Sequence, residues 1–220
     1  MVGQSGLERL GASRLLIVGV GGVGSYAAEA IARGGIGFIT VMDGDEVAPS
    51  NLNRQLVALT STLGRNKAEV MAERIRDINP SAVVEALPYF YKRDDDGSNP
   101  DLTRYDWIID CIDDVDAKVQ LIKTAVNQGI NIISAMGAAG KFDTYFRTAD
   151  ISKTSTCPLA KVMRKRLRNE GIEHLPVVFS EEKPIPRDGV LGSISYVPGS
   201  MGLELAGYVI KQIARPEAEA

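Results

Sequence analysis

Short apolar runs alternate with longer segments of helical spacing along most of this chain. Arg14–Gly19, with Leu15 to Val18 unbroken and apolar, reads as a strand buried on both faces of a parallel sheet. An alanine-rich helix is predicted over Val23–Gly34 and a second strand over Phe38–Asp43, which together make a βαβ unit. Arg65–Asn79 spaces Val70, Ala72, Ile75 and Ile78 as a helix does, and Pro80 stops it. Further strands are predicted at Ala82–Leu87, Tyr105–Ile112 and Ile130–Ser134. A charged loop over Lys92–Pro100 and a helix over Asp114–Asn127 separate them. The regular alternation implies an α/β fold: a Rossmann-like, doubly wound, mainly parallel sheet with helices on both faces.

Beyond Gly140 the pattern changes. Strands are predicted at Lys141–Thr148, His174–Ser180 and Gly192–Val197, and helices at Leu159–Asn169 and near Ser200–Ile213. This tail is expected to extend the sheet with an antiparallel portion, leaving 1–220 as a single domain. Its apolar last helix (Leu203, Leu205, Ala206, Val209, Ile210) suits either a core or an interface.

Composition narrows the class without naming a chemistry. The chain has 220 residues, 45% hydrophobic and 24% charged, as in ordinary globular proteins. A net charge of −3 carries no global nucleic-acid signal, so any such binding must come from a local patch. No apolar run reaches the roughly 20 residues of a membrane span, and Met1-Val2-Gly3-Gln4 does not open a signal peptide, so the cytoplasm is the expected location. Cys111 and Cys157 stand far apart with no Cys-x-x-Cys pair, which argues against a disulfide framework or a zinc clip. Cys111 is expected in the core. The single histidine, His174, is expected to be a structural or surface residue rather than a catalyst.

The candidate chemistry begins at the turn Gly19-Val20-Gly21-Gly22-Val23-Gly24. Glycines there allow a tight strand-to-helix turn, and the helix N-terminus attracts negative charge. Asp43 follows about 20 residues on, where a carboxylate commonly accepts from ribose hydroxyls. Alone, the pair would fit a nicotinamide or flavin domain. The run Asp43 to Gln55 holds Asp45, Asn51, Asn53, Arg54 and Gln55, and Lys67 follows in Gly64-Arg65-Asn66-Lys67. Asp113 sits at the end of the fourth predicted strand. Two cations, amides and carboxylates at strand ends describe a site for a cleaved triphosphate and its magnesium better than one for a hydride carrier.

Together these motifs resemble the ThiF/MoeB/HesA superfamily of ATP-dependent adenylating enzymes over residues 11 to about 140. The resemblance implies ATP and magnesium as cofactors and transfer of AMP to a substrate carboxylate. It implies that 1–140 is an ATP-binding half and 141–220 a substrate-binding extension. Carried over by motif, Gly19, Gly21, Gly22 and Gly24 form the nucleotide turn and Asp43 binds the ribose, with Asp45 beside it. Asn51, Arg54 and Lys67 bind phosphates, Gln55 belongs to the same motif, and Asp113 holds magnesium. Arg54, Lys67 and Asp113 are the implied catalytic residues.

Residues 68–80, Asp150-Ile151-Ser152-Lys153-Thr154, Pro158-Leu159-Ala160-Lys161 and Val178-Phe179-Ser180-Glu181-Glu182 are similar to the TcdA (CsdL) branch. That branch implies cyclisation of threonylcarbamoyladenosine in tRNA. The alternative is activation of a ubiquitin-like sulfur carrier, with cysteine-desulfurase system proteins as possible partners. The family also implies a homodimer. Lys161, Arg164, Lys165 and Arg168 share one broad face of a predicted helix. By residue pattern alone that face suits RNA phosphates or plain solvent equally; with the resemblance, RNA is expected.

Two departures stand out. The family's early arginine, which reaches into the partner's ATP site, has no evident counterpart; the segment before Gly6 is expected to be missing, and Arg9 is not expected to take that role. Cys157 stands where the branch has aspartate, and a chance substitution is expected rather than a thioester nucleophile.

Overall fold

The computed structural model describes residues 1–94, 96–186 and 188–215; Asp95 of the expected loop and residues 216–220 lie outside them. The chain runs α1 (Gly3–Ala12), β1 (Arg14–Val18), α2 (Gly24–Arg33), β2 (Phe38–Met42), α3 (Lys67–Ile78), β3 (Val83–Leu87) and β4 (Trp107–Asp110). It continues α4 (Val115–Asn127), β5 (Asn131–Ala135), β6 (Arg147–Asp150), α5 (Pro158–Asn169), β7 (Pro176–Phe179) and α6 (Tyr196–Ala214). The strands form one seven-stranded sheet in the order β3-β2-β1-β4-β5-β7-β6, with every pair parallel except β6 with β7.

The apolar runs are continuous because both faces of the sheet are covered. Leu15 and Ile17 of β1 point into one core with Ile31 of α2, Met71 of α3 and Met201, Leu205 and Val209 of α6. Leu16 and Val18 point the other way, toward Val119 and Ile122 of α4 and Met163 and Leu167 of α5. Most of the apolar stripe of α6 is therefore core, while Leu203 stays exposed. The helix lies so close to α2 that a Cβ on Gly202 would stand 2.3 Å from the Val23 carbonyl oxygen.

Two expected strands are corrected. The strand at Lys141–Thr148 forms only over Arg147–Asp150, because the Glu182 carboxylate takes the N–H groups of Phe142 (2.8 Å) and Asp143 (2.9 Å). Side-chain acceptors replace a ladder there. The strand at Gly192–Val197 is absent. The Gly192 carbonyl accepts from Gly140 N–H at 2.8 Å and the Ser193 carbonyl from Asn53 Nδ2 at 2.9 Å, and the helix already starts at Tyr196. Pro198 is tolerated in that first turn, where an N–H has no intrahelical partner. Helix α1 was not anticipated; it packs on the end of α6, where Arg9 donates to the carbonyls of Ile213 and Ala214.

Candidate active site

The strand order reverses between β1 and β4, and the crevice outside the carboxyl ends of such strands is where an open α/β sheet binds ligands. A cavity of about 980 Å³ opens there. Its lining includes Gly19, Gly21, Gly22, Gly24, Asp43, Asp45, Asn51, Arg54, Gln55, Lys67 and Asp113, so the fold brings every expected nucleotide residue to one place.

The glycine turn is enforced by crowding. Gly19 sits at φ +86°, and a Cβ on it would meet the Cys111 carbonyl oxygen at 2.7 Å. A Cβ on Gly24 would lie 1.8 Å from the Gly19 oxygen, which leaves room for nothing but hydrogen. Asp43 is buried beneath the turn. Its Oδ2 accepts from Val20 N–H at 2.8 Å and its Oδ1 from Asp45 N–H at 2.9 Å. Burial raises its pKa above the ordinary aspartate value, only partly opposed by those two N–H groups and the nearby Lys67.

The loop after β2 and the start of α3 are laced together. Asn66 caps α3, accepting from Ala68 N–H at 2.8 Å, and its Nδ2 donates to the carbonyls of Asp43 and Asp45. Lys67 follows in the first turn, with its side chain 7% exposed and Nζ 2.8 Å from Asp45 Oδ2, whose side chain is 56% exposed. The buried ammonium is thus fixed, while its carboxylate partner is free to turn toward solvent.

Asn51 Oδ1 accepts from Ala48 N–H at 3.0 Å, closing the short turn over Pro49–Asn51. Arg54 Nη1 donates to the Ser50 carbonyl and to Asn53 Oδ1, both at 2.8 Å, leaving the rest of its guanidinium to the cavity. Gln55 is buried, yet its Oε1 has no hydrogen-bond partner. Other atoms of Gln55 line the cavity beside Gly21.

Asp113 is exposed at the cavity, and no hydrogen bond or ion pair to it is found among the described residues. No group of three or more His, Cys, Asp or Glu side chains could hold a metal among those residues. Magnesium commonly uses one or two carboxylates together with phosphate oxygens and water, so a lone free aspartate fits its usual site. Cys111 lies beside it, and burial pushes its thiol up to about 12, which suits a packing role.

Several residues in and behind the cavity wall were not foreseen. Tyr89, Phe90 and Tyr91 follow β3 along one wall; the aromatic triplet at a strand end was the available signal. Asp110 and Lys118, both fully buried, lie behind the loop that carries Asp113. An aspartate closing an apolar strand hinted at the first of them.

The cationic residues of α5 also converge. Lys161, Arg164, Lys165 and Arg168 line a groove of about 360 Å³ with Asn169, whereas Arg166 turns away to pair with Asp116. Arg164 Nη1 donates to the Thr154 carbonyl at 2.9 Å and to Thr154 Oγ1, so it also anchors the segment before the helix. At its other end α5 offers Leu159 to the main cavity, so the cationic face leads away from the cavity rim.

The ThiF family matches this chain over residues 1–220. The chain belongs to the ThiF family. Among the relatives, the tRNA threonylcarbamoyladenosine dehydratase of Bacillus subtilis is 42% identical, with 97% of this chain and 92% of that protein covered. The Escherichia coli dehydratase of the same name is 41% identical over 171 residues, 77% of this chain and 63% of its own length. Crystal structures of the E. coli dehydratase, TcdA, superpose on 96% of this chain at a TM-score of 0.87 and 36% identity. In one it is in complex with ATP and in the other with AMP, and 89% and 90% of those chains are covered. The chain spans nearly all of the B. subtilis relative but under two thirds of the E. coli one.

Proposed function

We propose that this chain uses ATP to activate the carboxylate of threonylcarbamoyladenosine in tRNA and closes it to the cyclic form, with net loss of water. The supporting observation is the convergence of the glycine turn, Asp43, Arg54, Gln55, Lys67 and Asp113 on one cavity, in a fold shared with an ATP complex of TcdA. In this reading Asp43 accepts from the ribose, and Arg54 and Lys67 hold the phosphates. Gln55 lines the same cavity and would lie beside the nucleotide.

The substrate carboxylate attacks the α-phosphorus as its anion, so no general base is needed. A phosphorus–oxygen bond forms, the bond to the departing pyrophosphate breaks, and negative charge grows on the leaving oxygens. Arg54 and Lys67, already in position, stabilise that charge without reorganising. An incoming phosphate competes with the exposed Asp45 for Lys67, so the lysine's charge is spent on the reaction only when nucleotide is bound. Magnesium held by Asp113 would supply further positive charge to the phosphate oxygens. Ring closure of the threonylcarbamoyl group onto its activated carbonyl then expels AMP.

The groove on α5 suits the RNA: its cations would hold backbone phosphates. The reading carries with it a cytoplasmic setting and a homodimer. No helix among the described residues is long and apolar enough to cross a membrane. The test is a nucleoside comparison of threonylcarbamoyladenosine-containing tRNA before and after incubation with the protein, ATP and magnesium. Appearance of the cyclic nucleoside with release of pyrophosphate is the expected result. Pyrophosphate release with a sulfur-carrier protein, and none with tRNA, would refute the tRNA reading.

A further inference from the structure

Behind the loop from Cys111 to Asp114 lies a fully buried ion pair that the sequence pattern did not single out. Lys118 Nζ, in the second turn of α4, is 2.9 Å from Asp110 Oδ2 at the end of β4, and both side chains are 0% exposed. Their remaining bonds converge on the backbone of one loop residue, at the two peptide groups that flank its Cα. Asp110 Oδ1 accepts from the Ile112 N–H at 3.0 Å, and Lys118 Nζ donates to the Ile112 carbonyl at 3.0 Å. Ser134 Oγ of β5 fixes the carboxylate from behind with a 2.6 Å bond to Oδ2. Asp114, on the far side of Asp113, caps α4 by accepting from Ala117 N–H at 2.8 Å. Asp113 is therefore the unbonded carboxylate between two anchored residues.

Stability alone is a poor account of this arrangement. Two charges withdrawn from water recover their desolvation cost only through fine geometry, and neutral residues of similar volume commonly serve the fold as well. What neutral packing cannot supply is an acceptor for the N–H and a donor for the carbonyl of the same loop residue. We infer that Lys118, together with Asp110, is a positioning residue that clamps the two peptide groups flanking Ile112 and so sets where the Asp113 carboxylate meets the magnesium of bound ATP. This rests on the reading of Asp113 as the magnesium residue, and it adds a supporting layer that the cavity lining does not contain. Such outer partners are worth about 10–100-fold in metal affinity where they have been removed elsewhere.

The test is ATP binding to the full chain, measured by calorimetry over a series of magnesium concentrations, with thermal unfolding recorded alongside. Asp110→Asn with Lys118→Met removes both charges and keeps the volume. That double variant should unfold near the native temperature yet need about tenfold more magnesium for half-maximal ATP binding, a defect that excess magnesium rescues. A native magnesium requirement in the folded double variant overturns the clamp. Should it not fold, Ser134→Ala removes a single bond to Asp110 and should shift the requirement the same way by less; no shift overturns the clamp equally. Asp113→Ala, measured in parallel, separates the two layers. A raised requirement there with none in the clamp variants rejects the clamp alone, whereas no change in Asp113→Ala rejects the magnesium reading itself.

Discussion

Asp113 and Asp43 are both cavity aspartates, yet their surroundings give them opposite characters. Asp43 is buried, accepts two backbone N–H groups and helps hold the turn in shape. Asp113 is exposed and bonds to nothing among the described residues, so the fold does not depend on it. Asp113→Ala should therefore leave the unfolding temperature within about 2 °C of native, because surface changes of this kind are energetically small. Pyrophosphate release should fall by about 100-fold or more, since a charge placed against the leaving phosphates is worth several kcal/mol. Near-native turnover in the folded variant would remove Asp113 from the reaction. The glycines of the turn were legible in the sequence for a simple reason. Glycine at positions 19 and 24 is the only residue type the turn admits, so identity and geometry coincide. Lys118 was not legible. A lysine on an amphipathic helix ordinarily reads as solvated, and only the packing of α4 behind β4 and β5 turns it inward.

Among the elements, the parallel strands and their helices matched expectation to within about two residues, because apolar runs and helical periods are local signals. The tail did not match as well, and the reasons are long-range. Phe142 and Asp143 satisfy their N–H groups on Glu182, and the Gly192 and Ser193 carbonyls are taken by Gly140 and Asn53. None of those partners can be read from a window of neighbouring residues. Helix α5 carries the element-scale prediction. Arg164 is tied to Thr154, so its removal would disturb the segment before the helix as well as any ligand. Lys161 and Lys165 have no ion-pair partner among the described residues and line the same groove. Lys161→Glu with Lys165→Glu should keep the fold, weaken tRNA binding and flatten its salt dependence by close to two phosphate contacts' worth of slope. An unchanged slope would return the face to solvent.

The whole molecule joins these scales by topology. Reversal of the strand order between β1 and β4 leaves a crevice at their carboxyl ends. The loops that bring Asp43, Arg54, Lys67 and Asp113 into it come from β2, the segment before α3, and β4. A nicotinamide-binding sheet would offer the same crevice, so topology alone does not choose between a dinucleotide and a triphosphate. The lining chooses. Lys67 is buried against an exposed carboxylate, Arg54 is only partly engaged, and Gln55 lines the same wall. A pyrophosphate held mainly by backbone N–H groups has little use for that set. Ligands that bind only the folded state raise its stability by RT ln(1 + [L]/Kd), about 2.7 kcal/mol at 100 times Kd. For a chain of this length that amounts to about 5–10 °C in Tm. ATP with magnesium should give a rise of that size, ATP with a chelator a smaller one, and NAD none. A rise with NAD and none with ATP would mean that the cavity serves a dinucleotide and that its cations are incidental.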